Sequence, residues 1–234
     1  MQQLYPDLWI SRPEFPNQKE EPALMMHGFF LKHPEGNLII SRIENDLDIE
    51  EIQNLGGASR HYITHWHEAS VGINKVRSKI KSQFWCHELA APEVSLFAIA
   101  DNTFNEDTTH FKNFQIFHTP GHTSGSSVFL YKSPYGKTYL FLGDAICFME
   151  GKWGVVIVDE SNVEDLRDSF EILHSMKPDV VLMGVTVGEL AYIEVTESSW
   201  ADALVEAAAN PLDLRHKNNV LSEFNAGEIS SLMG

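Results

Sequence analysis

Cysteine, positive charge and long apolar runs are all scarce in this 234-residue chain. Cysteine occurs twice, at Cys86 and Cys147, in a spacing that suits neither a disulfide framework nor a thiolate metal site, so both are expected as reduced thiols in or near the core. Only 17 Lys and Arg stand against 33 Asp and Glu, a formal net charge of −16. A surface of that sign repels nucleic-acid backbones and anionic membranes, which argues for no nucleic acid and no membrane among the partners. No stretch approaches the roughly eighteen uninterrupted apolar residues of a membrane span. The opening MQQLYPDLWISRPEFPNQKEEP lacks a basic segment followed by an apolar one, so a cytoplasmic protein is expected.

What is present is an ordinary globular composition, 43% apolar and 11% aromatic, in a chain long enough to bury a large core. No repeat period, low-complexity tract or long linker interrupts it, and residues 1–234 are read as one domain. Residues 25–42 read as two strands around Pro34-Glu35-Gly36-Asn37, followed by a helix from about Asp48 with Glu51 completing a capping box and Gly56-Gly57 ending it. The strand RHYIT leads into HWHEAS. A helix marked by Ile73, Val76 and Ile80 carries the one basic cluster, Lys75, Arg77, Lys79 and Lys81, read as a solvated face. FWCHELAA reads as a strand, 101–109 as polar loop and 110–118 as a strand. Residues 126–131 and 138–142 form a hairpin, and CFMEGKWGVVIVDE reads as a loop or lid before a short strand. A helix from Ser161 with Val163, Leu166, Phe170 and Leu173 inward, the strand DVVLMG, a helix from Ser199 and a last one near 219–224 complete the chain.

Three strand ends open into polar groups. His65 and His67 lie two apart, a spacing that turns both imidazoles one way if the segment is extended. His122 sits in the tight loop TPGHTSG, and Asp144 follows YLFL and a glycine, where a lone buried carboxylate needs a partner. Three imidazoles and a carboxylate suit one divalent metal ion, zinc first, with iron or manganese as alternatives. Thr119, Thr123 and Ser124 are candidates to orient a ligand ring or to cap the turn. By the same extended geometry Glu68 points away from the two histidines, and Trp66 packs beneath the loop.

ITHWHEASVG, HTPGHTSGS and YLFLGDAIC, in that order, resemble the motif set of the metallo-β-lactamase superfamily, whose members include glyoxalase II hydrolases, lactonases and persulfide dioxygenases. The resemblance covers about residues 27–188. It implies an α/β fold, a four-layered αβ/βα sandwich of two mixed sheets with helices on the outer faces, and a metal held by His65, His67, His122 and Asp144. It also marks departures. Where the family has His-x-His-x-Asp-His, this chain ends with Ala69 and Ser70, and Val185 stands in the place of a later histidine, so the second metal site of binuclear relatives is lost.

The function implied is a mononuclear metal-dependent hydrolase acting on an ester, thioester or lactone-type bond of a small-molecule substrate, since one ion can activate water and polarise a carbonyl. A catalytically inactive relative with a structural or vestigial metal is the first alternative, and a mononuclear iron oxygenase resembling persulfide dioxygenase the second. No general base stands out; Glu68 and Tyr192 are candidates. Phe148, Met149 and Trp153 are expected to wall a substrate pocket if their loop folds over the cleft, or to serve as core or homodimer-interface residues.

Overall fold

The runs FFL, LII and TYLF show no polar alternation because both faces of their strands are covered. The structure, a computed structural model, describes residues 1–15, 24–149, 151–187 and 190–213. One sheet of seven strands runs in the order β1 (Gln2–Tyr5), β2 (Leu8–Ile10), β4 (Phe29–Leu31), β5 (Leu38–Ile40), β6 (Arg60–Tyr62), β7 (Gln83–His87) and β8 (Asn102–Phe104). A second, of six, has the order β17 (Tyr192–Glu194), β15 (Val180–Leu182), β12 (Thr138–Phe141), β11 (Ser127–Lys132), β10 (Phe114–His118) and β9 (Thr108–His110). A third, of five, has β18 (Pro211–Asp213), β14 (Lys152–Ile157), β13 (Ile146–Met149), β16 (Val185–Val187) and β3 (Leu24–Met26). The expected α/β architecture is present, its strands divided among two large sheets and a smaller third.

The period of two in each strand sends alternate side chains into different layers. Phe29, Leu31, Leu38, Ile40 and Tyr62 pack between the large sheets on Phe114, Ile116, Phe129, Phe141 and Val180, with the Phe29 and Phe141 rings edge-on at 5.5 Å. Their neighbours Phe30 and Ile39 face the other way, onto Ile49 and Ile52 of α1 (Asp46–Asn54) and Val76 of α2 (Gly72–Ile80). A short α3 (Ala91–Val94) extends that helical side. From the second sheet, Leu140 and Val181 meet Leu166 and Leu173 of α4 (Val163–Ser175) and Trp200 and Leu204 of α5 (Glu197–Ala209). Helix, sheet, sheet, helix is the layer order. Each fully buried side chain of this size stabilises the sandwich by about 1.5–3 kcal/mol.

Local departures from the sequence reading have local causes. Helix α1 starts at Asp46 because Asn45 caps it, accepting from the Leu47 N–H at 2.9 Å, while Asp48 and Glu51 pair with Arg12 and the chain's amino group. Asn162, not Ser161, caps α4, leaving Val163 exposed, and Thr196 starts α5 ahead of Ser199. The strand at 83–87 stops at His87, whose Nδ1 accepts from the Leu89 N–H and turns the chain. The 101–109 stretch supplies β8 and part of β9, and the strand expected over 110–118 is broken at Phe111, whose φ is 56°. The basic face of α2 is ion-paired: Lys75 and Lys79 reach Asp46, and Arg77 reaches Asp101. The helix expected at 219–224 lies outside the described residues.

The stretch read as a lid is a hairpin, β13 on β14. Its alternation parts the three apolar residues expected to form one wall. Phe148 and Trp153 turn to the α4–α5 core, Trp153 lying 6.2 Å from the Trp200 ring, whereas Met149 packs with Cys147 and Val156. Both cysteines are free and buried, and burial pushes each thiol up to about 12, so Cys147 is no nucleophile at neutral pH. No described helix is long and apolar enough to cross a membrane.

Two buried histidines tie stability to pH. His27, bonded to Thr186 Oγ1 at 3.0 Å, and His61, bonded to the Ser41 carbonyl at 2.9 Å, are each held by burial at about 4, below the ordinary 6.5. The unfolded chain takes up these protons at a higher pH than the folded one, so the stability they contribute is full above 6.5 and is lost as pH falls toward 4. The urea midpoint is therefore expected to fall between about pH 7 and about pH 4.5, and less steeply in the His27→Gln/His61→Gln double variant. Identical slopes in the two proteins would refute this assignment.

Candidate metal centre

The ends of β6, β10 and β12 meet at one edge of the sandwich. Ser127 at the start of β11 donates its N–H to the Thr64 carbonyl at 2.8 Å, fastening the second sheet to the loop that leaves the first. After β6, His65 is extended, with φ −160° and ψ 172°, but Trp66–Glu68 then close a 3₁₀ turn. The two histidines are therefore brought together by a turn and not by the pleat of a strand, which corrects the extended reading. Asp144 follows Gly143, whose φ of 66° suits glycine and whose added Cβ would lie 2.8 Å from Thr64 Oγ1.

The rings of His65, His67 and His122 converge, with centroids 5.0, 5.1 and 5.2 Å apart. All three side chains are buried, as is Asp144. One nitrogen of each histidine, taken together, lies within 4.8 Å of the others, a set able to hold a metal ion. Asp144 Oδ2 stands 3.2 Å from His65 Nε2. The structure thus brings together all four residues that the sequence nominated.

Each ring is held from outside by an oxygen. Thr64 Oγ1 lies 2.9 Å from His65 Nδ1 and donates its own proton to Glu68 Oε1 at 2.8 Å, so it must accept from the ring. His67 Nε2 donates to Glu160 Oε1 at 2.7 Å. His122 Nδ1 donates to the Val156 carbonyl at 3.1 Å. These partners fix the tautomers and leave the lone pairs of the remaining nitrogens pointing inward. His67 Nδ1 and His122 Nε2 are 3.2 Å apart. Burial lowers the pKa of both rings, His122 to about 3. Two facing lone pairs at that distance repel unless a cation lies near both.

His65 and Asp144 shift one another's pKa. Burial pulls the pKa of His65 down most strongly of any single cause, but the charge and hydrogen bond of Asp144 together with the charges of Glu68 and Glu160 raise it; burial likewise opposes the three histidines, His65 foremost, that hold Asp144 low. His65 Nε2 and Asp144 Oδ1 are both buried and lack an aligned hydrogen bond. Unsatisfied buried atoms around converging nitrogens are what a metal ion would satisfy, so the donor set fits one.

Glu68 departs from expectation. The 3₁₀ turn curls it inward, where it is 1% exposed and accepts from the Thr64 N–H and hydroxyl, both at 2.8 Å. Burial raises its pKa. Gly184 leaves room for it, since a Cβ there would fall 2.9 Å from Glu68 Oε1. His65, Glu68 and Asp144 form a second close set. Ala69, Ser70 and Val185 are buried and carry no imidazole, thiol or carboxylate.

Other candidates are placed elsewhere. Thr123 bonds Ser126 within its own turn, and the Ser124 carbonyl accepts from His118. Trp66 rests on the His67 ring at 4.1 Å and on the α3 side of the core. Tyr192 packs against the core between the large sheets. Thr64 and Glu160 escaped the sequence reading. Thr64 adjoins His65 and could have been suspected; Glu160, 93 residues from its partner His67, carries no motif signal.

No family model matches the sequence, and no curated protein does. Solved structures do match. DIM-1 metallo-β-lactamase shares 15% identity over 89% of this chain and 95% of its own, with a TM-score of 0.69. The metallo-β-lactamase from Pontibacter korlensis shares 18% over 87% and 95%, at 0.68. The class B3 di-zinc metallo-β-lactamase LRA-12, from an Alaskan soil metagenome, shares 16% over 68% and 72%, at 0.53. The chain has the metallo-β-lactamase fold.

Thr64→Val keeps the side-chain shape but removes the partner of the His65 Nδ1–H and one of the donors to Glu68, which keeps the residue 64 N–H, and should cost about 1–3 kcal/mol of stability. Thr64→Ser should restore most of it. Urea unfolding of the three proteins checks this, and equal midpoints for Val and wild type would contradict the hydroxyl's place in the chain.

Proposed function

We propose that this protein is a mononuclear metal-dependent hydrolase of a small-molecule ester, thioester or lactone, with zinc the favoured ion. The observation that carries the reading is the inward convergence of three imidazole lone pairs, each enforced by an outer acceptor. Three nitrogen donors with a neighbouring carboxylate suit zinc better than calcium or magnesium, which take oxygen ligands. His65, His67 and His122 are assigned as ligands, with Asp144 beside them. The count of one rests on His65. The two close donor sets share that residue, its Nδ1 is engaged by Thr64, and one free nitrogen serves one ion.

A metal ion bound there would polarise the substrate carbonyl and lower the pKa of water. The chain's own contribution is to orient. Asp144 Oδ1, buried and without a hydrogen-bond partner, is the acceptor assigned to a water molecule and its proton. The acidic surface favours a neutral or weakly charged substrate. Of the apolar residues considered for its contact, Met149 is half-buried and not committed to the α4–α5 core, so it is the one retained here. An inactive relative that keeps the ion for structure is the second reading, favoured by the absence of ligand groups at Ala69, Ser70 and Val185.

Metal content of protein purified without a tag or added metal is expected at about one zinc per chain, and near none in His65→Ala/His122→Ala. Negligible metal that does not rise on reconstitution defeats the proposal. With one zinc bound, hydrolysis of a panel of chromogenic esters, thioesters and lactones should fall about 100-fold or more in kcat/KM on Asp144→Asn, with zinc retained. A loaded wild type inert across the panel supports the structural-metal reading instead.

A further inference from the structure

The hairpin β13–β14 and the turn after it do more than fill the core. From residue 156 to residue 162 this one segment touches the metal centre four times, always from outside. The Val156 carbonyl accepts from His122 Nδ1 at 3.1 Å. Ser161 Oγ donates to the His122 carbonyl at 3.0 Å, and the Asn162 N–H donates to the Gly121 carbonyl at 2.8 Å, so the loop carrying His122 is held by backbone as well as ring. Glu160 Oε1 accepts from His67 Nε2 at 2.7 Å. The segment is itself braced, with Ser161 Oγ accepting from the Val158 N–H at 3.0 Å and Asn162 capping α4.

Among these contacts Glu160 alone brings a charge. Its side chain is 40% exposed, whereas His67 is buried, so the carboxylate stays solvated while its hydrogen bond reaches into the site. A carboxylate behind a ligating imidazole fixes the tautomer, fixes the ring plane and makes the opposite nitrogen a stronger donor. Val156 gives His122 only a neutral carbonyl, and Thr64 gives His65 only a hydroxyl.

We propose that Glu160 is the positioning residue for His67, holding Nδ1 toward the ion and strengthening it as a ligand. The inference rests on the metal-binding reading above and adds to it the residue on which affinity at that corner depends. Glu160 bonds the ring of His67 and lies outside both close donor sets. Its effect is transmitted through the ring, so it is read in zinc affinity and ring state before it is read in turnover.

The test is zinc affinity of the full chain, measured by competition with a chromophoric chelator, for wild type, Glu160→Ala, Glu160→Gln and the charge control Glu164→Ala on the exposed start of α4. Glu160→Ala is expected to weaken zinc binding by about 10- to 100-fold. Glu160→Gln, which keeps a neutral acceptor, should fall between, and Glu164→Ala should stay within about twofold of wild type. In the metal-free protein, nitrogen-15 NMR should show His67 protonated on Nε2 in wild type and a mixed tautomer in Glu160→Ala. Affinity unchanged in Glu160→Ala, or lowered equally by Glu164→Ala, overturns the proposal while leaving the metal site standing. A wild type that binds no zinc overturns both.

Discussion

Three imidazoles with their outer nitrogens already committed cannot point their remaining lone pairs at one another without help. That electrostatic constraint governs the whole edge of the sandwich. Thr64, Glu160 and Val156 impose the tautomers. Asp144 Oδ2, 3.2 Å from His65 Nε2, sets a carboxylate beside the converging rings. Such an arrangement is costly in isolation and persists only because the surrounding fold leaves the rings nowhere else to go.

The fold supplies that rigidity through strands covered on both faces. Because the large sheets are apolar toward each other and toward their helices, the strand ends at Tyr62, His118 and Phe141 are fixed to the precision of a packed core. The Ser127–Thr64 bond joins the sheets at the point where they would otherwise part. The loops bearing the polar groups are short, tight and internally bonded, as at Thr123 and Ser126. Site and frame are one construction, in which Gly143 and Gly184 are small because Thr64 and Glu68 need their space.

Much of this was legible in the sequence, and the misses share one cause. His65, His67, His122 and Asp144 could be found because each lies just past a strand in a short, recognisable context. The sandwich followed from the same motifs. Glu68 was misplaced because an alternation rule assumed an extended chain, and a single 3₁₀ turn reverses its conclusion. For Phe148 and Trp153 the sequence left a pocket wall and a core place both open, because nothing in FMEGKW distinguishes a lid from a hairpin; pairing of β13 with β14 and packing on Trp200, which favour the core, are long-range facts. Helix starts slipped by one to two residues wherever several capping side chains compete, as at Asn45 and Asn162. Glu160 was invisible because its meaning comes wholly from a partner far away along the chain.

That distance has a kinetic side. His67 leaves the ribosome long before Glu160, which follows 93 residues later, and His122 and Asp144 emerge in between. The nascent chain therefore exposes His65 and His67 while half the sandwich is still unmade. Closing so large a loop raises contact order and slows assembly, although each doubling of loop length adds only about 0.6 kcal/mol of entropic cost. The hydrogen bond between Glu160 and His67 thus waits until β6 to β14 have all been synthesised, which makes this corner of the edge a late product of folding.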